Sequence, residues 1–312
     1  MLYQTVRPTS LEEVVGNEET IGALSRTLKG TMRPHVYLLH GPYGCGKTTL
    51  ARIMAKMFGS SERSTFLYNA ANTRGIDTVR QILDHCRMTV IDGKPKTFIL
   101  DESHQLTPAA QEALLDITDS PPDDVYFIFC TTAPKQIIKG IRNRCTDYVM
   151  QRLSFTQTME VLHRACDSQQ LDVDKKILEA VAMVADGCSR EALVYLEKVQ
   201  DETDLDTAIR LIVRGTEKDS NIIELGKMLL RVPEKRKRDW KKILNLYYII
   251  EDEPERLRKA LLTFFLTNLR KCNSVEDAED IAKMIRIFSV SVYYGGKSAL
   301  AALIVKACFG ED

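Results

Sequence analysis

The stretch that decides the fold is Val36–Thr48, which reads VYLLHGPYGCGKT. Four mostly apolar residues lead into the pattern G-x-x-x-x-G-K-T, and a run with apolar residues at helical spacing follows it. In this strand–loop–helix setting, glycines allow backbone N–H groups to surround an anion. Lys47 adds a positive charge for the β- and γ-phosphates, and Thr48 adds a hydroxyl for Mg²⁺. The stretch therefore predicts a phosphate-binding loop, with a helix that begins near Lys47 and directs its positive end at the anion.

Composition limits the function classes. The chain has 312 residues, so two or three domains are expected, and its 43 basic residues balance its 43 acidic ones. Binding to nucleic acid would therefore need a local basic patch. We find no signal peptide and no apolar run near ~18 residues, which predicts a cytoplasmic protein without a membrane partner. Eight cysteines without a C-x-x-C pair predict free thiols rather than a zinc site or a disulfide framework.

A second motif, TFILDESH, occupies residues 97–104. It places Asp101 and Glu102 where a buried strand ends, and nucleotide sites in open α/β sheets lie at that edge. In a protein with a phosphate loop, Asp101 would hold Mg²⁺ and Glu102 would polarise the attacking water. A single histidine on the next turn is more typical of packing, or of support for a neighbouring site residue, than of a catalyst, so His104 is not assigned to the site.

The pattern of the chain changes after about residue 150. Up to that point, four or five apolar strands alternate with helical runs, which predicts a parallel sheet with helices on its faces. Beyond it the pattern is wholly helical. Ser154 and Ser189 are predicted as helix caps, and helices are predicted over residues 205–214, 220–231, 235–250, 254–271, 274–294 and 297–309. The predicted domains are 1–152, 153–215 and 216–312.

The motifs in order resemble those of the clamp-loader ATPases of the AAA+ group. This group includes the bacterial gamma/tau subunit of DNA polymerase III and the small subunits of replication factor C. The resemblance rests on Arg7-Pro8 with VVGN at 14–17, GPYGCGKT, NAANTRGID, FILDESH, CTTAP, NRC and GCSREAL, and it is dense over residues 1 to about 200. It implies an α/β AAA+ phosphate-loop domain with a parallel sheet, followed by a helical lid and an all-helical C-terminal oligomerisation domain, the collar.

The resemblance also implies catalytic roles. Lys47 and Thr48 match the Walker A lysine and its Mg²⁺ hydroxyl, and Asp101 and Glu102 match the Walker B pair. The other matches are Thr132, a sensor of the γ-phosphate, Arg144, the arginine finger acting on ATP of a neighbouring subunit, and Arg190, a second sensor in the lid. A guanidinium suits the charge-dispersed transition state of phosphoryl transfer.

Ligands and partners follow from the same resemblance. The cofactors are ATP and Mg²⁺. The partners are other clamp-loader subunits in a ring or spiral (a pentamer in this family), a sliding clamp, and primer-template DNA, whose backbone Arg74 and Arg80 would contact. The residues implied to bind nucleotide are Arg7, Pro8, Val15, Gly16, Gly41, Pro42, Tyr43, Gly44, Cys45, Gly46, Lys47, Thr48, Thr49 and Arg190.

The sequence departs from the family pattern at two points and leaves two alternatives open. Residues 59–65 have no room for the zinc module of the bacterial gamma/tau subunit, and Asn143 replaces the serine of the Ser-Arg-Cys motif. The predicted function is ATP-driven loading of a sliding clamp onto primed DNA. The alternatives are an AAA+ branch-migration or helicase motor and a scaffold subunit that does not hydrolyse ATP.

Overall fold

Five parallel strands form one sheet in the computed structural model. The structure describes residues 1–30, 33–88, 93–213, 219–230, 233–250, 253–272, 274–292 and 295–309. The strands are β1 Val36–His40, β2 Thr65–Asn69, β3 Lys96–Asp101, β4 Val125–Thr131 and β5 Thr146–Val149. Their order across the described sheet is β2-β3-β4-β1-β5. The predicted α/β class with a parallel sheet is therefore confirmed, and β1, β3 and β4 end side by side at one edge.

Helices connect and follow the strands. In the sheet-containing part they are α1 Leu2–Thr5, α2 Glu18–Lys29, α3 Lys47–Phe58, α4 Ile76–Arg87, α5 Pro108–Ala113, α6 Leu115–Asp119 and α7 Lys139–Arg142. Those that follow β5 are α8 Phe155–Gln169, α9 Lys175–Ala185, α10 Ser189–Val199, α11 Leu205–Val213, α12 Asp219–Leu229, α13 Pro233–Ile249, α14 Pro254–Lys271, α15 Val275–Phe288 and α16 Gly296–Phe309. None of the described helices is long and apolar enough to span a membrane.

The central strands are apolar on both faces because each face is covered. Along a strand, successive side chains point to opposite sides. Tyr37 and Leu39 of β1 pack in one hydrophobic cluster with Leu50 of α3, whereas Leu38 belongs to a second cluster with Val79 of α4. All seven residues of β4 are buried. This explains the continuous apolar run of β4, which is typical of a buried parallel strand.

The chain divides into two compact units. The first comprises residues 1–170 and 185–194, and the second comprises residues 171–184 and 195–312. The second unit has its own core, which includes Leu261, Phe265 and Phe288. The division into domains 1–152, 153–215 and 216–312 stays a prediction, and its second boundary lies outside the described residues. So do residue 214 of the predicted helix 205–214 and residue 231 of the predicted helix 220–231.

Two sequence predictions about helix ends are wrong, and contacts between distant residues explain the first. Helix α15 ends at Phe288 rather than at residue 294, because the buried Arg258 guanidinium binds the Phe288 carbonyl and the Glu255 carboxylate accepts the Val292 N–H at 2.8 Å. Ser189 is the first residue of α10 instead of its cap.

Lys96 is a buried lysine whose ammonium group binds carbonyls at the C-terminal end of α4. Its Nζ donates to the Cys86 carbonyl at 2.6 Å and to the Met88 carbonyl at 2.8 Å, and only 3% of the residue is exposed. Carbonyls at a helix C-terminus have no partners within the helix. The lysine therefore fixes α4 to the start of β3.

Replacing Lys96 by methionine should destabilise the protein. We expect Lys96→Met to lower the free energy of unfolding by about 2 kcal/mol, because buried carbonyls lose their donor. Urea unfolding would measure the change. Lys56→Met, at an exposed position of α3, is the matched control. Equal stability of the two variants would show that the Lys96 contacts contribute nothing.

Candidate nucleotide-binding site

The loop between β1 and α3 has the backbone of a phosphate-binding loop. Gly41 has φ +151° and Gly44 has φ +72°, conformations that a side chain would strain. A Cβ at Gly41 would lie 2.0 Å from the Met150 carbonyl oxygen, so no larger residue fits there. Gly46 caps α3, which begins at Lys47 as predicted. The first N–H groups of a 12-residue helix therefore border the loop.

Lys47 is buried beneath the loop. Its Nζ donates to the Gly41 carbonyl at 2.9 Å and to the Pro42 carbonyl at 2.7 Å, and 6% of the residue is exposed. These contacts hold the ammonium group against the loop backbone. Gly41 and Pro42 contribute their carbonyls to Lys47 and are not among the residues that line the cavity described below.

Thr48 and Asp101 bring two oxygen ligands together. The Thr48 hydroxyl donates to Asp101 Oδ2 at 2.8 Å, and Asp101 Oδ1 accepts the Glu102 N–H at 3.1 Å. A hydroxyl and a carboxylate this close are ligand types that Mg²⁺ accepts, usually with water completing the octahedron. The predicted pairing of the phosphate-loop helix with the end of β3 is therefore present in the geometry.

Glu102 has an unusual backbone conformation. It adopts φ +50°, which is rare for a residue with a side chain. Such conformations concentrate at functional sites because the surrounding structure must enforce them. The Glu102 side chain is 28% exposed and lines the same cavity as Lys47 and Asp101.

A cavity of about 600 Å³ lies within the first unit and has a polar and an apolar part. Its size is typical of a small-molecule site. The predicted site residues that line it are Arg7, Pro8, Val15, Tyr43, Gly44, Cys45, Gly46, Lys47, Thr48, Thr49, Asp101, Glu102 and Arg190. Apolar lining comes from residues such as Val14, Leu153, Val161, Ala165 and Leu193. Gly16 lies outside the lining, and a Cβ there would meet Leu153 at 2.6 Å.

The cavity concentrates positive charge. Its basic lining residues are Arg7, Lys47, Arg52, Arg164 and Arg190, and its acidic ones are Glu13, Asp101 and Glu102. Burial, together with the charges of Arg52 and Arg190, lowers the pKa of Arg7. An excess of cations around a glycine-rich loop fits a polyanion such as a triphosphate, and the apolar walls fit a base. The residues present therefore fit a Mg²⁺-bound nucleotide.

Arg190 is held by two tyrosines. Its Nη1 donates to the Tyr43 hydroxyl at 3.0 Å, and its guanidinium carbon lies 4.8 Å from the centre of the Tyr3 ring. Burial alone would lower the pKa of Arg190, but the hydrogen bond with Tyr3 and the electrostatic effect of Tyr43 outweigh it and raise that pKa. The neighbouring Ser189 hydroxyl donates to the Gly44 carbonyl at 3.0 Å. The start of α10 is thus attached to the phosphate loop.

Two predicted catalytic residues lie outside the cavity lining. Thr132 follows the last residue of β4 and is partly exposed. Arg144 follows α7 and is exposed; its Nε binds Asp119 Oδ1 at 2.7 Å and its Nη1 donates to the Gly140 carbonyl at 2.9 Å. Asp119 and the Gly140 carbonyl therefore hold the Arg144 guanidinium at the surface, outside the cavity lining.

The two residues predicted to bind DNA lie on an exposed surface. Arg74 donates to the Ala71 carbonyl at 3.1 Å. Arg80, on α4, pairs with Asp77 at 2.8 Å, and both side chains are largely exposed. The ion pair reduces the net charge that Arg80 presents to a phosphate backbone.

Sequence reasoning missed three residues at the site. Arg52 lines the cavity from α3, and its position four residues after Thr48 placed it on the same helix face. Tyr3 contacts Arg190 from the N-terminal segment, and no local pattern signals that contact. His104 has its Nδ1 3.5 Å from Glu102 Oε2, and the sequence had indicated only a packing residue or a support for a site residue.

Comparison with known proteins finds similarity to one family of ATPases and to several replication proteins. Residues 37–153 match the family model "ATPase family associated with various cellular activities (AAA)". The chain is 31% identical over 221 residues to DNA polymerase III subunit gamma/tau of Mycobacterium tuberculosis, covering 64% of this chain and 38% of that protein. It is 28% identical over 287 residues to DNA polymerase III subunit tau of Bacillus subtilis, covering 85% of this chain and 50% of that protein.

An archaeal relative and a solved structure extend the comparison. The chain is 33% identical over 195 residues to the replication factor C small subunit of Methanococcus vannielii, covering 61% of this chain and 62% of that protein. The matches thus span between about two fifths and three fifths of these relatives. The fold is similar to Thermotoga maritima RuvB, a Holliday junction branch migration motor, with a TM-score of 0.57 and 21% identity over 82% of this chain and 85% of that chain. The resemblance to gamma/tau and replication factor C subunits is confirmed, and residues 37–153 of the chain are similar to the AAA family of ATPases.

Proposed function

We propose that this chain is an ATPase subunit of a clamp loader, which uses ATP binding and hydrolysis to open a sliding clamp and load it onto primer-template DNA. The observation that carries the proposal is the convergence of Lys47, Thr48, Asp101 and Glu102 on one cationic cavity. The relatives named for DNA polymerase III and replication factor C support the replication context.

Different cavity residues would bind different parts of the nucleotide. The loop N–H groups and Lys47 would hold the β- and γ-phosphates, and the apolar walls with Arg7, Pro8 and Val15 would hold the adenine. Thr48 and Asp101 would hold Mg²⁺, which neutralises developing negative charge on the phosphates. Arg190 would exchange its tyrosine contacts for phosphate oxygens, since a charge-assisted bond is stronger than a neutral one.

Glu102 would serve as the general base. It lies one residue after the proposed Mg²⁺ ligand Asp101, and its carboxylate borders the cavity. The carboxylate would accept a proton from the attacking water, while Thr132 would sense the γ-phosphate from the end of β4.

Arg144 would act on the nucleotide of a neighbouring subunit. Its exposure and its absence from the lining of its own cavity support a role in trans. Hydrolysis would then depend on assembly, with the helical part after residue 215 joining protomers. Arg74 and Arg80 would bind the DNA backbone without reading its sequence, so affinity should fall with salt.

A branch-migration motor is the second candidate, because the fold is similar to that of RuvB. That candidate needs a DNA-binding winged-helix domain at the C-terminus. The described residues from 205 onward form helices, which supports the clamp loader.

ATP turnover with different DNA and protein partners tests the function. The full chain, purified with its co-expressed partner subunits, is assayed with primed DNA plus the clamp and with four-way junctions. Stimulation by primed DNA plus the clamp supports clamp loading. Stimulation by junctions alone supports the motor, and the absence of any turnover supports a scaffold subunit; either result would overturn the proposal.

A further inference from the structure

The segment after β3 is attached to the end of β4 by two side chains. Glu102 is followed by a tight 3-10 turn at Ser103–Gln105. Within this turn the Ser103 hydroxyl donates to the Cys130 carbonyl at 3.0 Å, and Ser103 is completely buried. The next residue, His104, reaches the following residue of β4, Thr131. These two contacts fix the position of the turn relative to β4, the strand that precedes Thr132.

The His104 ring hydrogen-bonds Thr131 and has the same nitrogen near Glu102. Its Nδ1 lies 3.1 Å from the Thr131 hydroxyl oxygen and 3.5 Å from Glu102 Oε2. The His104 side chain is 10% exposed, so the ring has little freedom to leave this position. Thr131 is completely buried, and its hydroxyl also accepts the Ala133 N–H at 3.0 Å. The His104 ring therefore lies between the buried Thr131 hydroxyl and the partly exposed Glu102 carboxylate.

The surroundings of His104 are polar as well as packed. Its Nδ1 bonds the buried Thr131 hydroxyl and lies 3.5 Å from Glu102 Oε2. The Glu102 side chain is 28% exposed, so its carboxylate can turn toward solvent where no neighbouring group holds it. A general base must lie within hydrogen-bond reach of the proton it accepts, so its direction affects the rate.

We propose that His104 is a positioning residue, which directs the Glu102 carboxylate into the cavity and ties it through Thr131 to the end of β4. The inference rests on the proposed role of Glu102 as the general base. It goes further, because it assigns a function to a residue outside the nucleotide-lining set. Since Thr132 follows Thr131 directly, any displacement at the end of β4 would reach Glu102 through this contact.

Substitutions at His104 distinguish the contribution of the Nδ1 nitrogen to kcat from the contribution of the ring's bulk. An asparagine amide can occupy the place of Nδ1, whereas a glutamine amide reaches only the place of Nε2. We expect His104→Ala and His104→Gln to reduce kcat about tenfold, because the Glu102 carboxylate loses its polar neighbour Nδ1 at 3.5 Å. His104→Asn should restore most of the rate. The affinity for a fluorescent ATP analogue should stay unchanged in all three variants.

His85 provides the matched control. It is a half-buried histidine on α4, and its Nδ1 bonds a hydroxyl, that of Tyr68, at 2.9 Å. It is not part of the site, so His85→Ala should leave kcat near that of the unmodified protein. Thr131→Val tests the contact from the other side, and it should cause no additional loss in the His104→Ala background.

The outcomes are distinct. The experiment uses the full chain in its assembly and begins with Glu102→Gln. Normal turnover in that variant overturns the proposed role of Glu102 and the inference with it. If Glu102→Gln stops turnover, three results would overturn only the inference: His104→Ala behaves like His85→Ala, it loses nucleotide affinity together with kcat, or His104→Asn is as slow as His104→Ala. A selective loss of kcat that asparagine restores supports it.

Discussion

Glu102→Gln is expected to stop ATP turnover while nucleotide affinity stays the same. An amide cannot accept the proton of the attacking water, and general base catalysis contributes about 10²–10⁴-fold. The contacts of Lys47, and the bond between Thr48 and Asp101, do not involve the Glu102 carboxylate. Steady-state turnover and the affinity for a fluorescent ATP analogue measure the two effects separately.

The matched control for this variant is Glu112→Gln. Glu112 is an exposed carboxylate on α5, outside the cavity lining. It should keep full turnover. A Glu102→Gln variant as active as this control would contradict the assignment of the base. A loss of nucleotide affinity would indicate that Glu102 maintains the structure of the cavity instead.

Arg144→Ala is expected to abolish hydrolysis in the assembly without weakening nucleotide binding by its own chain. An arginine finger contributes about 10³–10⁵-fold to kcat. Arg144→Lys should recover little, because a lysine keeps the charge but lacks the planar fork of donors. Turnover of the assembly and nucleotide affinity of the isolated chain are the two measurements.

Arg142→Ala is the control, since Arg142 is an exposed arginine two residues earlier, at the end of α7. It should keep normal turnover. Asp119 holds Arg144 in place, so Asp119→Asn should reduce hydrolysis less than Arg144→Ala does. Unchanged hydrolysis in Arg144→Ala would remove this residue from the mechanism.

Local patterns predicted the parts of the fold that depend on neighbouring residues. The apolar run before Gly41, the loop glycines and the helix from Lys47 lie within one short stretch, so strand β1, the loop and α3 were all expected. The Ser154 capping box is equally local and is present as predicted. The proximity of Asp101 to Thr48 followed from a general rule, that nucleotide sites lie where parallel strands end.

Contacts between distant residues were not predictable from these patterns. Helix α15 ends early because Arg258 binds the Phe288 carbonyl. These two residues are 30 positions apart in the sequence. The attachment of Arg190 to Tyr43 joins residues 147 positions apart, and nothing in either local pattern indicates it. His104 was not assigned to the site because a lone histidine is more often a packing residue, or a support for a site residue, than a catalyst. Its Nδ1 contacts become visible only when β3 and β4 lie side by side.

The central claim is that ATP is cleaved between two protomers, with Glu102 from one and Arg144 from the other. Co-assembly of Glu102→Gln chains with Arg144→Ala chains tests it most directly. Each variant alone should be inactive, but a mixed interface can contain an intact Glu102 facing an intact Arg144. With random mixing in equal amounts, about a quarter of head-to-tail interfaces are intact, so about a quarter of normal turnover should return. Turnover that stays at the level of the separate variants would contradict a site shared between protomers.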